Sequence, residues 1–450
     1  MEQGMYLIGP AVLTVFCLAY ALVFAEEKLQ LRKSKPVMIA ASLIWILVAI
    51  GFRAQGRSEE LAEQLRRVLL DYTELFLFLL SAMSFVNTLV ERNVFEALRM
   101  RLMMMKLSSR GIYWVVGALA FVLSPIADNL TTALVMGTVA SAALGHNKKA
   151  VVGASVSVVV AANAGGVFSP FGDITTLMIW QKGMVRFDQF LVLLLPALVN
   201  WLVPAAIISF TIPSKPAEHS GRTVRVRKGG YLVAFMFLAT IAATVLLDHT
   251  LHLPPFLGMM MGLGALNVLS YFLHRAEERQ LALLADDPAL SIQHNGDWSD
   301  KKPFSIFNIL EKVEWDTLLF FYGIMLCVGG LGAVGYLEAA SGFLYNTHGA
   351  TVANVTIGML SAIVDNIPLT FAVLSMHPAM DLGQWLLLTL TAGVGGSLLS
   401  IGSAAGVALM GLGKGTYTFT AHLKWAWAIL LGFAASVAVH LTLNAHYFAS

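Results

Sequence analysis

The chain has 450 residues, 57% of them hydrophobic and 12% charged, with a formal net charge of +2. A soluble domain carries about 25% charged residues. Together with a mean hydropathy of +0.73, this excludes an ordinary water-soluble protein and points to an all-α polytopic membrane protein in a lipid bilayer. The near-neutral charge says little about partners and gives no reason to expect nucleic acid. Cys17 and Cys327 lie in apolar segments as small thiols. No disulfide frame or metal-ligand cluster is visible, and no cofactor is expected.

A membrane-crossing helix needs about 20 apolar residues. In chain order the expected spans are 5–25, 37–52, 72–89, 188–212, 231–247, 255–274, 315–336 and 425–447. The first lacks a basic leader and a small-residue cleavage site, and is read as a retained helix rather than a signal peptide. Four interrupted regions lie between them, at 112–145, 150–180, 352–376 and 384–411.

The first interrupted region contains Ser124-Pro125-Ile126-Ala127-Asp128-Asn129-Leu130-Thr131-Thr132, with Asp128 the only charge between Trp114 and Leu144. A carboxylate in hydrocarbon is expensive, so such residues face a cavity and do work. Pro125 removes a backbone donor just before Asp128, and a break is expected there, at the Asp-Asn pair. The break would free backbone groups beside Asp128, Asn129, Thr131 and Thr132 that only water, protein or an ion can satisfy. A second copy reads Ser361-Ala362-Ile363-Val364-Asp365-Asn366-Ile367-Pro368-Leu369-Thr370. Asp128 and Asp365 are 237 positions apart, and Gly165 and Gly395 are 230 apart, so the second half repeats the first.

Lys and Arg mark the cytoplasmic side. Loops 26–36, 91–111, 213–229 and 275–314 are rich in them, whereas 248–254, 337–351 and 377–383 have none. The region 352–376 therefore has external flanks on both sides, and 112–145 has basic flanks on both sides. Each fits a re-entrant hairpin, one from each face, as in an inverted repeat. Loop 53–71 is placed outside despite its four arginines. The organisation expected is a first repeat over 1–212, a basic cytoplasmic linker at 213–230 and a second repeat over 231–450, with about ten transmembrane helices, two re-entrant hairpins, two unwound helices and both termini outside. The 276–303 stretch reads as a flexible cytoplasmic linker.

The unwound helices supply the remaining chemistry. One runs Asn163-Ala164-Gly165-Gly166-Val167-Phe168-Ser169-Pro170-Phe171-Gly172-Asp173-Ile174-Thr175-Thr176. Its partner runs from Gly395 to Gly406 with Ser397, Ser400 and Ser403 and no acid. Hard monovalent cations want carboxylate, hydroxyl, amide and carbonyl oxygens. No Lys or Arg lies within the four motifs, so three acids dominate and a cation is favoured over an anion.

The sequences Ser-Pro-Ile-Ala-Asp-Asn-Leu-Thr-Thr, Ser-Pro-Phe-Gly-Asp-Ile-Thr-Thr and Val-Asp-Asn-Ile-Pro-Leu-Thr resemble the NhaD-type sodium/proton antiporters of the ion transporter superfamily. The resemblance covers nearly the whole chain, including Phe24-Ala25-Glu26-Glu27-Lys28. It implies exchange of Na⁺ or Li⁺ for H⁺ across a bacterial inner membrane, and leaves a homodimer open. It also implies functional roles for Asp128, Asn129, Thr131, Asn163, Asp173, Thr175, Thr176, Ser361, Asp365, Asn366, Ser400 and Ser403, with Glu74 matching a membrane glutamate and a proton relay. On this reading Na⁺ and protons compete for the same carboxylates, since burial favours the neutral acid and a bound cation favours the ionised one. Asp128 and Asp173 are the expected Na⁺ ligands, with Thr175, Thr176, Asn129 and Ser403 completing the shell; Asp365 is either a ligand or a proton carrier.

The plain alternatives are structural. Asp128, Asp173 or Asp365 as helix caps, Thr370 and Ser397 as packing hydroxyls, Glu74 snorkelling to the interface and His440 as a hydrogen-bond partner all fit the sequence. Other functions weighed are a carrier of dicarboxylate, citrate or arsenite, an intramembrane aspartyl protease and a cation channel. The protease reading lacks a Gly-x-Gly-Asp signature and a Tyr-Asp partner.

Overall fold

The computed structural model describes residues 3–29, 31–105, 107–145, 147–214, 224–286, 306–412 and 415–448. They are helical throughout, with no strand among the described residues. In order the main helices are α1 (Gln3–Phe24), α2 (Ser34–Ala54), α3 (Ser58–Glu91), α4 (Ser109–Ala127), α5 (Asn129–Leu144), α6 (Lys148–Gly166), α7 (Ile174–Gln181) and α8 (Leu194–Ser209). They continue with α9 (Gly230–Leu251), α10 (Pro255–Asp286), α11 (Trp315–Ala333), α12 (Ala350–Leu360), α13 (Asn366–Met376), α14 (Leu382–Gly395), α15 (Ala404–Leu412) and α16 (Ala426–Leu443). Among the described residues nine helices are long and apolar enough to cross a membrane, and five shorter apolar helices accompany them. The chain is an all-α polytopic membrane protein.

Two compact units form. One comprises Met1–Tyr72, Arg101–Gly221 and Asp316–Ser450; the other comprises Thr73–Met100 and Arg222–Trp315. The second unit is a helical scaffold. Ser81 donates to the Met259 carbonyl at 2.6 Å, and the Phe85 and Phe237 rings stack at 4.9 Å. At the end of α3 the buried Arg92 donates to Glu277 Oε1 at 2.5 Å and to the Lys228 carbonyl at 3.2 Å, so its charge is paired where burial alone would be costly.

All four interrupted regions lie in the first unit. Helix α6 buries sixteen of its nineteen residues, and α14 buries thirteen of fourteen. A helix apolar all round belongs at the centre of its unit, and their Gly, Ala, Ser and Thr residues let neighbouring backbones approach. Gly165 of α6 lies so close to α4 that a Cβ there would meet the Phe121 carbonyl oxygen at 2.3 Å. Gly395 of α14 stands the same way against α12, where a Cβ would meet the Gly358 oxygen at 1.9 Å. Phe121 and Gly358 are 237 positions apart and the two glycines 230 apart, the offsets already seen in the motifs. Ser124 and Ser361 repeat the match, donating to the carbonyls of Ala162 and Ala392 respectively.

One expectation is met and two need correction. The break expected beside Asp128 falls at that residue, with Pro125 still inside α4. Proline leaves the carbonyl four residues back without its helical donor. That carbonyl belongs to Phe121, the group against which Gly165 packs. Residues 58–71, expected as loop, form the first turns of the 34-residue α3. Glu59 and Glu60 lie in its first turn, where acids suit the positive helix end, and Arg67–Glu63 is an i,i+4 pair. Finally, α10 runs to Asp286 into the expected cytoplasmic loop; 287–305 lie outside the described residues.

At 1.5 Å per residue, the eleven-residue arms α12 and α13 are each about 16 Å long and cannot cross a core of about 30 Å. The nineteen-residue α4 is long enough to do so alone. Replacing Gly165 or Gly395 with Ala forces backbone apart, and each should lower stability by about 1–3 kcal/mol, read as melting of the solubilised protein. Gly411→Ala, with nothing within 4 Å of the added carbon, should leave the melting temperature unchanged or slightly raised.

Candidate functional site

Each break ends where a new helix starts, and each start carries its own cap. Asp128 Oδ1 accepts from the Thr131 amide at 2.8 Å, Asp173 Oδ1 from the Thr175 amide at 2.9 Å and Asp365 Oδ1 from the Ile367 amide at 3.3 Å. The fourth cap is Ser403, whose hydroxyl accepts from the Gly406 amide at 3.2 Å. These oxygens satisfy amides that have no partner inside the helix, and the carboxylates also face the positive helix end. The three acids are thus helix caps. A cap uses one carboxylate oxygen, and the use of the second distinguishes the three.

Asp173 is 5% exposed and holds the centre. Its Oδ1 also accepts from the Thr175 hydroxyl at 3.0 Å. Its Oδ2 accepts from Asn129 Nδ2 at 3.1 Å and from Asn366 Nδ2 at 3.2 Å. Asn129 opens α5 and Asn366 opens α13, so the two Asp-Asn tips, far apart in sequence, place their amides on one carboxylate. Asn129 also donates to Asn163 Oδ1 at 3.2 Å, and Asn163 donates to the Ser397 hydroxyl at 2.8 Å. Both unwound helices and both tips therefore share one hydrogen-bonded chain. Gly393 leaves room beside it, since a Cβ there would come within 3.9 Å of Asp173 Oδ2.

Asp128 is held differently. Its Oδ2 accepts from the Thr131 hydroxyl at 2.9 Å, so one threonine grips both oxygens. The Asp128 backbone has φ 55° and ψ 161°, a region that is essentially glycine's and costs about 1–3 kcal/mol for other residues. Thr131's double grip holds that conformation. Asp128 connects to Asp173 through Asn129, the residue that follows it. Asp365 Oδ2 accepts from Lys33 Nζ at 3.3 Å.

The remaining sequence candidates divide. Thr176 donates to the backbone carbonyl of Asp173 at 2.6 Å and to that of Ser169 at 3.1 Å, fixing the unwound segment rather than the carboxylate. Ser361 spans to the Ala392 carbonyl at 2.8 Å, and Ser400 donates to Met410 Sδ at 3.2 Å. The buried Thr132 and Thr370 hydroxyls have no protein partner, while His440 faces the Gly383 carbonyl at 3.1 Å. Glu74 lies midway along α3, in its portion within the second unit. Two participants were not expected from sequence. Ser397 read as packing but ends the central chain, and Lys33 lies outside every motif. The one local signal for Lys33 is the third residue after each acid, Thr131 in one tip and Pro368 in the other.

Among the described residues no three His, Cys, Asp or Glu side chains gather to hold a metal. One buried carboxylate surrounded by amides and hydroxyls offers a small set of hard oxygen donors. That set suits a hard cation better than a thiolate- or imidazole-loving transition metal.

The sequence profile of a family described as citrate transporter matches residues 5–277 and 299–393. The Na(+)/H(+) antiporter NhaD of Alkalimonas amylolytica is 50% identical over 98% of this chain and 92% of that protein. The protein of the same name from Vibrio cholerae is 49% identical over 97% of this chain and 92% of its own length. More distantly, sodium/proton antiporter 1 of Arabidopsis thaliana is 31% identical over 97% of this chain and 73% of that protein. Within the broader group of transporters covered by that profile, this chain belongs to the family of the NhaD-type antiporters.

Proposed function

We propose that this chain is a secondary active antiporter that exports Na⁺ or Li⁺ in exchange for H⁺, with Asp173 as the group for which they compete. The observation carrying this reading is the convergence of Asn129 and Asn366 on the Asp173 carboxylate. An ionised carboxylate has about four acceptor positions, and four donors fill them here: the Thr175 amide and hydroxyl and the two asparagine amides. A cation reaches Asp173 only by displacing donors. A side-chain amide suits that exchange, because turning it over replaces an N–H donor with a carbonyl oxygen that ligates the cation beside the carboxylate. A proton instead makes the carboxyl itself a donor. Cation and proton use the same lone pairs, so they exclude each other, and Asp128, Asn163, Thr131, Thr132, Ser400 and Ser403 line or brace the segments that deliver these groups.

The proposal extends to architecture. Residues 1–212 and 231–450 act as inverted repeats whose tips enter a bacterial inner membrane from opposite faces, with both termini outside. Asp365 is a second carboxylate open to the cation or the proton, Glu74 belongs to the proton path, no cofactor takes part, and the working unit is a homodimer. The reading as a carrier of citrate or a like anion has one observation in its favour. Four helix N-termini and Lys33 are the sort of groups that bind anions. The caps answer it: three of those N-termini are occupied by the chain's own carboxylates, and Lys33 is engaged by one of them.

Adding Na⁺ or Li⁺ to inverted vesicles carrying a pH-sensitive dye should release protons, whereas citrate with a choline counter-ion should not; the opposite pattern would establish the anion carrier. Asp173→Asn should lose the Na⁺ response at every pH, and an intact response would remove Asp173 from its role. Asn129→Ala and Asn366→Ala should each raise the KM for Na⁺ about tenfold, or about 1.4 kcal/mol, with protein level unchanged. Ser361→Ala and Thr176→Val should leave that KM within about twofold yet cost about 1 kcal/mol of thermal stability, since both hydroxyls serve backbone carbonyls.

A further inference from the structure

Lys33 is 332 positions from Asp365 in sequence, yet its ammonium stands 3.3 Å from Asp365 Oδ2. It is also held over the Phe320 ring, 4.4 Å from the centroid, a position that favours a cation. Its backbone amide donates to Glu26 Oε1 at 3.3 Å, and the next residue, Ser34, bonds the Asp316 carboxylate at the start of α11. A surface lysine normally samples many rotamers. This one has its backbone anchored on two sides and its charge set between a ring and an acid, and all these partners belong to the first unit.

The two Asp-Asn tips explain why only one recruits a lysine. In the first, the residue three after the acid is Thr131, which gives both its amide and its hydroxyl to Asp128. In the second, the same place holds Pro368, which has no amide hydrogen and no hydroxyl. Asp365 therefore loses both of its sister's donors. It keeps one cap bond, at 3.3 Å to Ile367, and offers its other oxygen outward. Asn366, the next residue, touches Asp173, so whatever holds Asp365 also holds one of the amides guarding the central carboxylate.

We propose that Lys33 is a tethered cation: its ammonium occupies Asp365 in the place of a transported cation, competes with Na⁺ for that carboxylate, and by holding the second tip sets the protein's affinity for Na⁺. This rests on the antiport reading above and adds a specificity-determining residue to it. The transported ion must displace a charge of its own sign before the second tip can move. On the topology proposed, the lysine reaches the site from the cytoplasmic loop 26–36, so the competition is felt by cations arriving from that side.

The test measures KM and maximal rate for Na⁺ and Li⁺ in inverted vesicles for wild type, Lys33→Gln, Lys33→Arg, Asp365→Asn and the Lys33→Gln/Asp365→Asn pair. Wild-type exchange is the check on the antiport reading alone. Removing the tethered charge in Lys33→Gln should lower the KM for Na⁺ about three- to fivefold, the size of a partly exposed ion pair. The same change should do nothing in the Asp365→Asn background. A lysine that only braced the fold would lower the melting temperature and maximal rate without tightening Na⁺ binding. An unchanged or raised KM in Lys33→Gln, or an equal fall in the Asp365→Asn background, overturns the proposal. If Lys33→Gln does not fold, Lys33→Arg decides: a guanidinium grips a carboxylate through two bonds and should raise the KM, whereas an unchanged or lowered KM rejects the competition.

Discussion

A buried carboxylate must have its lone pairs filled, and at Asp173 the filling is divided among three separate pieces of chain. Thr175 supplies two donors from the helix that Asp173 caps, and each Asp-Asn tip supplies one amide. An unmade bond to such a group costs more than a made one gains. The position of both tips is therefore tied to the state of one carboxylate. A proton or a cation at Asp173 changes how many donors it accepts, and the donors it releases belong to the tips. On the antiport reading, coupling between occupancy and tip position follows from this count, without a separate relay.

The cap and ligand readings of the three acids, which look like rivals in the sequence, are the two ends of the same side chain. Oδ1 closes the first turn of the helix; Oδ2 is left for another task. At Asp128 that task is holding a strained backbone, at Asp173 it is the central network, and at Asp365 it is Lys33. The shared packing of the two halves, in which Gly165 matches Gly395 and Ser124 matches Ser361, keeps the breaks in register. Single substitutions between the halves then separate the roles: Asp173 against Ser403 removes one acid, and Thr131 against Pro368 loosens another.

Local patterns in the sequence made the spans, the four interruptions and the internal repeat legible. Hydropathy, Gly and Pro placement and a recurrent Asp-Asn pair all act over a few residues. Asp173, Asn129, Asn163 and Asn366 were legible as candidates for the same reason, since polar groups stranded in apolar stretches need each other. Pro125 lies inside its helix, three residues before the break, and the carbonyl it leaves without a donor faces Gly165 on another helix. What failed was local in one case and distant in the others. The polar stretch 58–71 is helical, with acids in its first turn and an i,i+4 pair along it, although its polarity alone reads as loop. Lys33 was counted as a loop cation marking the cytoplasmic side, and no spacing rule connects it to an acid in the other half of the chain. Thr176 and Ser361 carry the right chemistry in the right motifs, yet their rotamers turn to backbone carbonyls, which only packing decides.

Helix N-termini buried in a membrane attract anions by default, because their amides are unsatisfied and their dipoles positive. A transporter built from four of them begins as an anion site. This chain turns each terminus to its own use, with a carboxylate at three and a hydroxyl at the fourth. The amides are then satisfied from within, and the second oxygens of Asp173 and Asp365 accept from other segments of the chain. On the antiport reading, the sign of the ion is set by the charge at the cap positions: a neutral cap such as Ser403 satisfies an amide but leaves the positive helix end without a counter-charge. Lys33 fits that logic, since an ammonium beside Asp365 trims the negative charge without removing a ligand, and does so at the one acid whose tip has lost its threonine. On the antiport reading, charge selectivity is carried by four cap residues and one lysine, while the packing around them is indifferent to the sign.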